Sequence, residues 1–241
     1  MVRERTEILI QIMEKKNKFF NIVSHDLKSP LNYLNVLSTT LLEEYNCLND
    51  EEKIQKIRMI NKSSHQGKAL LDNLQLWVLS QKEMIKPVFR QTNLTDEIEA
   101  VVQLLNPNIQ KKELTVTIPS SPIIVCTDKN MLSTILRNLI ANAIKYSYRK
   151  GKIHISVKEN KENWNVSIED NGVGISPERR KKLFQIGTKV SSLGTEKEEG
   201  TGLGLLIVRE FINRLGENIQ VKSTQGKGSI FIFTLHKHLR K

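Results

Sequence analysis

Asn138, Asn142 and Lys145 stand at i, i+4 and i+7 in the segment NLIANAIKY, residues 138–146. On a helix these three share one stripe, while Leu139, Ile140 and Ala143 point elsewhere, towards a core. Two carboxamide oxygens can ligate Mg²⁺, and the ammonium can meet a phosphate. The plain alternative is a solvated polar face.

A second pattern, Asp170-Asn-Gly-Val-Gly174, directly follows a strand-like run ending at Glu169. Gly172 and Gly174 allow sharp turns and close backbone approach. Asp170, at the strand end, can accept a hydrogen bond from an exocyclic amine such as adenine N6. An Asn-Gly hairpin turn is the ordinary alternative. However, Gly174-Ile175-Ser176-Pro177 leads into a helix start and not into a second strand.

The third pattern spans residues 183–204. Leu183-Phe184 is followed by a polar stretch with Gly187, Gly194 and Gly200, and Gly200-Thr201-Gly202-Leu203-Gly204 opens a helix. A helix N-terminus with bare N–H groups suits a phosphate. The glycine-rich stretch before it reads as a lid over a triphosphate. Rival phosphate motifs fail on spacing. A Rossmann fingerprint would require glycine at 205, where Leu205 stands, and Gly226-Lys227-Gly228-Ser229 lacks the first glycine of a Walker sequence.

His25 is the remaining candidate. It lies in KFFNIVSHDLKSPLNYL, residues 18–34, close to the stripe of Phe19, Ile22, Val23, Leu27, Leu31 and Leu34. Asp26, Lys28 and Ser29 flank it, and Pro30 predicts a local bend because its ring presses on the turn before it. Read alone, His25 is most simply a core histidine of an amphipathic helix.

The elements that must position these residues fall into two regions. Residues 4 to about 46 carry one helical stripe, about 60 Å long if continuous. After a break at 46–49, Asn49 and Glu52 have the spacing of a capping box for a second helix reaching about Lys82. Such a hairpin buries too little alone, so two copies pairing as a four-helix bundle are expected. Lys82 to Lys86 reads as a linker and Pro87 as a boundary, giving regions 1–86 and 87–241.

Beyond the boundary, helices and strands alternate. A helix capped by Thr92-Asn93 or Thr95 runs to about Lys111, with Pro107 expected to end or bend it. Strands are expected at 114–118, 123–126, 153–157 and 164–169, and a hairpin at 219–223 and 229–235. Helices are expected at 130–146, from Ser176-Pro177, and at 203–215. The fold class is therefore α+β: a helical hairpin, then a mixed sheet with helices on one face.

The 241 residues can bury one large or two small cores. No apolar run approaches the ~20 residues of a membrane span. Cys47 and Cys126 have no metal or redox spacing, and free thiols fit a reducing compartment. A cytoplasmic protein is expected, or the cytoplasmic portion of a longer membrane-bound sensor. The net charge of +11 is dispersed and no nucleic-acid module is present, so a specific nucleic-acid partner is not expected.

Taken in order, His25-Asp-Leu-Lys-Ser-Pro30 with Phe19-Phe20 upstream, the Asn138–Tyr146 helix and the two glycine-rich segments resemble the motif set of sensor histidine kinases. The resemblance covers nearly the whole chain. It implies a Bergerat-type α/β sandwich for ATP, shared with Hsp90, type II topoisomerases and MutL, behind a dimeric phosphoacceptor hairpin. It further implies that Asn142 ligates Mg²⁺, that Asn138 and Lys145 contact phosphate or metal, and that Tyr146 lines the nucleotide pocket. Asp170, Gly172 and Gly174 match the first glycine box; Gly200, Thr201, Gly202, Leu203 and Gly204 match the second. Lys189 falls where many members carry an arginine near the γ-phosphate; lysine keeps the charge without the bidentate fork.

By the same resemblance His25 takes the γ-phosphoryl of MgATP, Asp26 fixes its tautomer and acts as base, and the phosphoryl passes to an aspartate of a response-regulator receiver domain. An unperturbed imidazole titrates near ~6.5, so neutral nucleophile is available at pH 7. Ser29 stands where many members have Thr or Asn to position water for dephosphorylating the regulator. Two other readings share the ATP motifs: a nucleotide-binding dimeric scaffold without turnover, and a Bergerat-fold ATPase whose N-terminal helices only dimerise.

Overall fold

The computed structural model describes residues 24, 26–81, 86–185, 193–196, 198 and 202–237. These fall into two compact units that divide after Leu79. The expected helix before residue 24 lies outside the described residues.

The first unit is a helical hairpin. Helix α1 covers 26–43, and α2 covers Asp50–Gln81. The break falls three residues earlier than the sequence pattern suggests. The N–H groups of Cys47 and Leu48 both donate to the Glu44 carbonyl, which winds the chain into a turn before Asn46. The capping box at Asn49 is present in full: Glu52 N–H donates to Asn49 Oδ1, and Asn49 N–H donates to Glu52 Oε2, each at 2.9 Å. Asp50, Glu51 and Glu52 place negative charge at the positive end of the helix.

Pro30 does not interrupt the assigned helix. It is buried, and its carbonyl accepts the buried Ser63 hydroxyl of α2 at 2.9 Å. A small hydroxyl thus gives the proline region a partner across the hairpin. Leu37 and Leu70 are buried as well. Leu31, Val36, Leu42, Ile54, Ile57 and Leu71 are all about half exposed or more. One hairpin therefore covers only part of its own apolar surface.

In the second unit, β1 (Arg90–Asn93) leads into α3 (Leu94–Lys111), and β2 (Thr115–Thr117) and β3 (Ile124–Thr127) lead into α4 (Lys129–Tyr146). Then come β4 (Lys152–Glu159), β5 (Asn163–Asp170), α5 (Pro177–Lys182), α6 (Gly204–Arg214), β6 (Ile219–Thr224) and β7 (Gly228–His236). Five strands form one mixed sheet in the order β2-β4-β5-β7-β6. Only β2 and β4 pair in parallel. Helix α4 packs on β5, with α3 and α6 on either side of it. The core lies between these layers: Ile98, Leu132, Ile135, Leu136, Leu139, Ile140, Val208 and Ile212 from the helices, Val166, Ile168 and Phe233 from the sheet.

Two expectations are corrected. The strand placed at 123–126 does not join the main sheet; β3 pairs antiparallel with β1 in a separate two-stranded sheet, and β1 itself was read as a helix cap. Asn93 does both, ending β1 and accepting from Thr95 N–H as the cap of α3. Pro107 neither ends nor divides α3, which continues to Lys111. Gln103, whose carbonyl loses its donor, and Pro107 both lie on the exposed face, where water can replace that bond.

Among the described residues, no helix is long and apolar enough to cross a membrane. Because Asn49 caps α2 reciprocally with Glu52, Asn49→Ala should lower the stability of the hairpin by about 1 kcal/mol, read as a fall in its chemical-denaturation midpoint. An unchanged midpoint would show that the box contributes nothing.

Candidate functional site

The site is assembled around the last turns of α4. Asp128 caps this helix, accepting from the N–H groups of Asn130 and Met131 at 2.9 and 3.0 Å. Its apolar stripe is fully buried, which fixes the rotation of the helix. Asn138, Asn142, Lys145 and Tyr146 consequently lie half-buried on its other side. The Asn138 side chain donates to the Thr134 carbonyl at 2.8 Å. Lys145 Nζ lies 4.8 Å from the centroid of the Tyr146 ring.

Asp170 terminates β5. Val166 and Ile168 point into the core, and the strand's alternation carries Asp170 to the same side, where it is 5% exposed. Gly172 N–H donates to Asp170 Oδ1 at 2.9 Å. Burial pushes the Asp170 carboxyl up to about 6, although the backbone N–H groups of Gly172 and Ser229 pull it down. At pH 7 it is mostly ionised, a buried acceptor with capacity for a donor such as an exocyclic amine.

The loop after Asp170 is clamped on both sides. The Val173 N–H donates to the Tyr146 carbonyl at 3.1 Å, and the Val173 carbonyl accepts from Gly226 N–H at 2.7 Å. A Cβ on Gly172 would overlap the Tyr146 carbonyl. Gly174 adopts φ of +64°, and a Cβ there would overlap the Thr224 carbonyl. Both glycines are therefore steric requirements of the loop's contacts with α4 and the β6–β7 turn.

The third segment meets α4 from α6. Gly202 has φ of +66°, Leu203 is buried, and Gly204 is the first helical residue. A Cβ on Gly204 would stand 2.5 Å from Asn138 Oδ1, so the helix start lies directly against the asparagine stripe.

Gly172 thus meets α4 at Tyr146 and Gly204 meets it at Asn138, about two turns away on the same helix. Asn142 lies on the same helix, one turn after Asn138. Lys189, Gly200 and Thr201 lie outside the described residues, as does His25. Asp26 is half-buried and Ser29 exposed, both on α1. Sequence reasoning missed Lys112, which is buried at the end of α4 against Thr195 and Glu198. Its position in a run of charges, Lys111-Lys112-Glu113, has no signal of burial.

Comparison with known proteins is consistent with this geometry. Residues 127–239 match the model of the family described as histidine kinase-, DNA gyrase B-, and HSP90-like ATPase. That match covers just under half of the chain and shows what these residues are similar to. Across 97% of its length the chain is 29% identical to the adaptive-response sensory kinase SasA of Thermosynechococcus vestitus, covering 63% of that protein. It shares its fold with the histidine kinase AdeS of Acinetobacter baumannii, at TM-score 0.70 and 24% identity, over 89% of this chain and 98% of that one. The same holds for the histidine kinase ThkA, solved in complex with response regulator protein TrrA, at TM-score 0.68 and 24% identity, over 98% of this chain and 64% of that one. The chain spans only 12% to 63% of the curated relatives it matches.

Among the described residues, no group of three or more His, Cys, Asp or Glu side chains is placed to hold a metal. Asn142 offers a half-buried carboxamide oxygen, a donor type that hard cations accept.

Two outcomes follow. Gly172→Ala should cost about 1–3 kcal/mol or more in the melting of the second unit, because backbone must move; a wild-type melting curve would contradict the clamp. For Asp170 the folded carboxyl sits above its unfolded value, so its ionisation opposes folding. Stability should therefore fall, by on the order of 2–3 kcal/mol, as pH rises from about 4 to about 6. Asp170→Asn should flatten that part of the stability profile, and an unaltered slope would refute the assignment.

Proposed function

We propose that this chain is the kinase core of a two-component sensor histidine kinase: residues 1–86 as dimerisation and phosphoacceptor hairpin, residues 87–241 as the ATP-binding domain. The observation that carries the proposal is the buried Asp170 carboxylate, held next to the end of α4 by the contact of Gly172 with Tyr146. In this reading it recognises adenine beside the helix whose polar stripe contacts the phosphates. The family match of residues 127–239 supports an ATP site, and the similarity of the full length to SasA supports adding the hairpin.

In this reading Asp170 accepts from the adenine amine and Tyr146 lines the base pocket. Asn138, Lys145, Lys189 and the start of α6 from Gly200 to Gly204 hold the phosphates. Asn142 holds Mg²⁺, which when bound neutralises phosphate charge and orients the terminal group. A ring nitrogen of His25 attacks the γ-phosphorus. The N–P bond forms as the bond to the β,γ-bridging oxygen breaks, and ADP leaves with that electron pair. Asp26 fixes the tautomer at the other ring nitrogen and takes its proton. The phosphoryl then passes to an aspartate of a receiver domain. In the same reading Ser29, one turn on, offers a hydroxyl to orient water for hydrolysis of the receiver's phospho-aspartate.

The exposed Leu31, Val36, Leu42, Ile54, Ile57 and Leu71 support a homodimer, with a second hairpin covering them. We assign the protein to the cytoplasm, alone or as the inner portion of a longer sensor, and assign it no specific nucleic acid.

The test is incubation with γ-labelled ATP and Mg²⁺. Wild type should acquire acid-labile, alkali-stable label. His25→Ala should acquire none, and Asn142→Ala should label on the order of 10²-fold more slowly. ATP hydrolysis unchanged in His25→Ala, with no protein label in wild type, would instead mark an ATPase.

A further inference from the structure

Lys112 is the C-cap of α3, and its backbone is held rigidly. Leu114 N–H returns to the Ile109 carbonyl and Glu113 N–H to the Gln110 carbonyl, with Glu113 at φ of +55°. This is the hydrogen-bond pattern of a Schellman motif, with glutamate where glycine is usual. The Lys112 side chain is 3% exposed. A buried ammonium requires several partners, and Lys112 Nζ has five oxygens around it. It donates to the carbonyls of Ile144 at 2.9 Å, Lys145 at 2.8 Å and Ser147 at 3.5 Å. It also donates to Thr195 Oγ1 at 2.8 Å and pairs with Glu198 Oε1 at 2.5 Å.

The first two of these oxygens belong to the last turn of α4, whose carbonyls lack helical donors and carry the negative end of the dipole. The last two belong to Thr195 and Glu198, which lie between α5 and α6 in the chain. Further bonds join the same parts. Thr195 N–H donates to the Lys145 carbonyl at 3.2 Å, and Thr195 Oγ1 donates to Ser147 O at 2.6 Å. A Cβ on Gly194 would stand 2.7 Å from Lys145 Cγ. Burial raises the Glu198 carboxyl, but bonds from Lys112 and from the backbone N–H groups of Glu198 and Glu196 outweigh this and hold it below the ordinary carboxylate range.

We infer that Lys112 is a positioning residue for nucleotide binding: its buried ammonium fastens Thr195 and Glu198 to the end of α4 and so sets where Lys145 and Tyr146 stand. Lys112 itself touches no proposed ligand position. The inference rests on the reading of the α4 face as the adenine-nucleotide site. Glu198 and Thr195 act in the same clasp, on the side of the segment that precedes α6.

The test uses the full chain with ADP and Mg²⁺, in wild type, Lys112→Met, Glu198→Gln and Thr195→Val. Two readouts are taken: ADP affinity by calorimetry and residue-resolved amide exchange. In Lys112→Met, ADP affinity should fall at least tenfold. The Thr195 amide, bonded to Lys145, should lose its protection while the Val166 and Phe233 amides keep theirs. Glu198→Gln and Thr195→Val should move both readouts in the same direction by smaller factors. Should Lys112→Met fail to fold, these two variants decide on the same criteria. ADP affinity within twofold of wild type in the folded variants would overturn the inference, whatever happens to Thr195. Absence of ADP binding in wild type would overturn the nucleotide reading itself, a result distinct from equal binding by wild type and variant.

Discussion

One carbonyl group fixes where the parts of the second unit meet. The Tyr146 oxygen, near the end of α4, accepts the Val173 N–H, and Gly172 lies so close that no side chain fits between them. Helix α4 and strand β5 must therefore end at the same place. Asp170 precedes this contact and Asn142, Lys145 and Tyr146 precede it on the other side. A ligand gripped by both sets depends on the contact being made without a spacer. A displacement of an ångström there would separate an acceptor for a base from donors for its phosphates, and positioning is most of what phosphoryl chemistry asks of a protein.

The same contact explains why a carboxylate is tolerated in an otherwise apolar layer. Asp170 sits in register with Ser229 of β7, and backbone N–H groups from Gly172 and Ser229 partly replace the water it has lost. The compensation is incomplete, so its carboxyl remains above the ordinary range. Stability is given up at a position where an acceptor is useful, a pattern common at binding sites. Lys112 is the counterpart of opposite sign, with its charge met by carbonyls, a hydroxyl and a carboxylate. Both buried charges lie at the ends of elements that carry the site.

The hairpin obeys a different constraint. Two helices bury one line of contact, and here that line includes Pro30 bonded to Ser63 between Leu37 and Leu70. The remaining apolar positions stay open to water, so the hairpin by itself is an incomplete core.

Local chemistry made much of this legible in advance. The Asn49–Glu52 box, Ser176-Pro177 as a helix start, the β6–β7 hairpin and the polar stripe of α4 all follow from spacings of two to seven residues. Reading failed where partners are distant in the chain. Whether Ile124–Thr127 joins the large sheet or pairs with Arg90–Asn93 is decided by competition between edges some 30 residues away. Pro107 was expected to end a helix because its cost depends on which face the freed carbonyl meets, and that is set by packing. Lys112 looked like one solvated charge among many, since burial is a property of the surroundings and not of a residue type.

The sequence by itself therefore determined the elements, their order and the kinds of groups available for nucleotide chemistry, since periodicity and capping act over one or two turns of chain. Tertiary structure alone decided that Gly172 meets Tyr146 and Gly204 meets Asn138, that Asp170 is buried and raised, and that Lys112 closes over the end of α4. Those outcomes rest on contacts between residues tens of positions apart, where excluded volume and desolvation, not local propensity, select the arrangement.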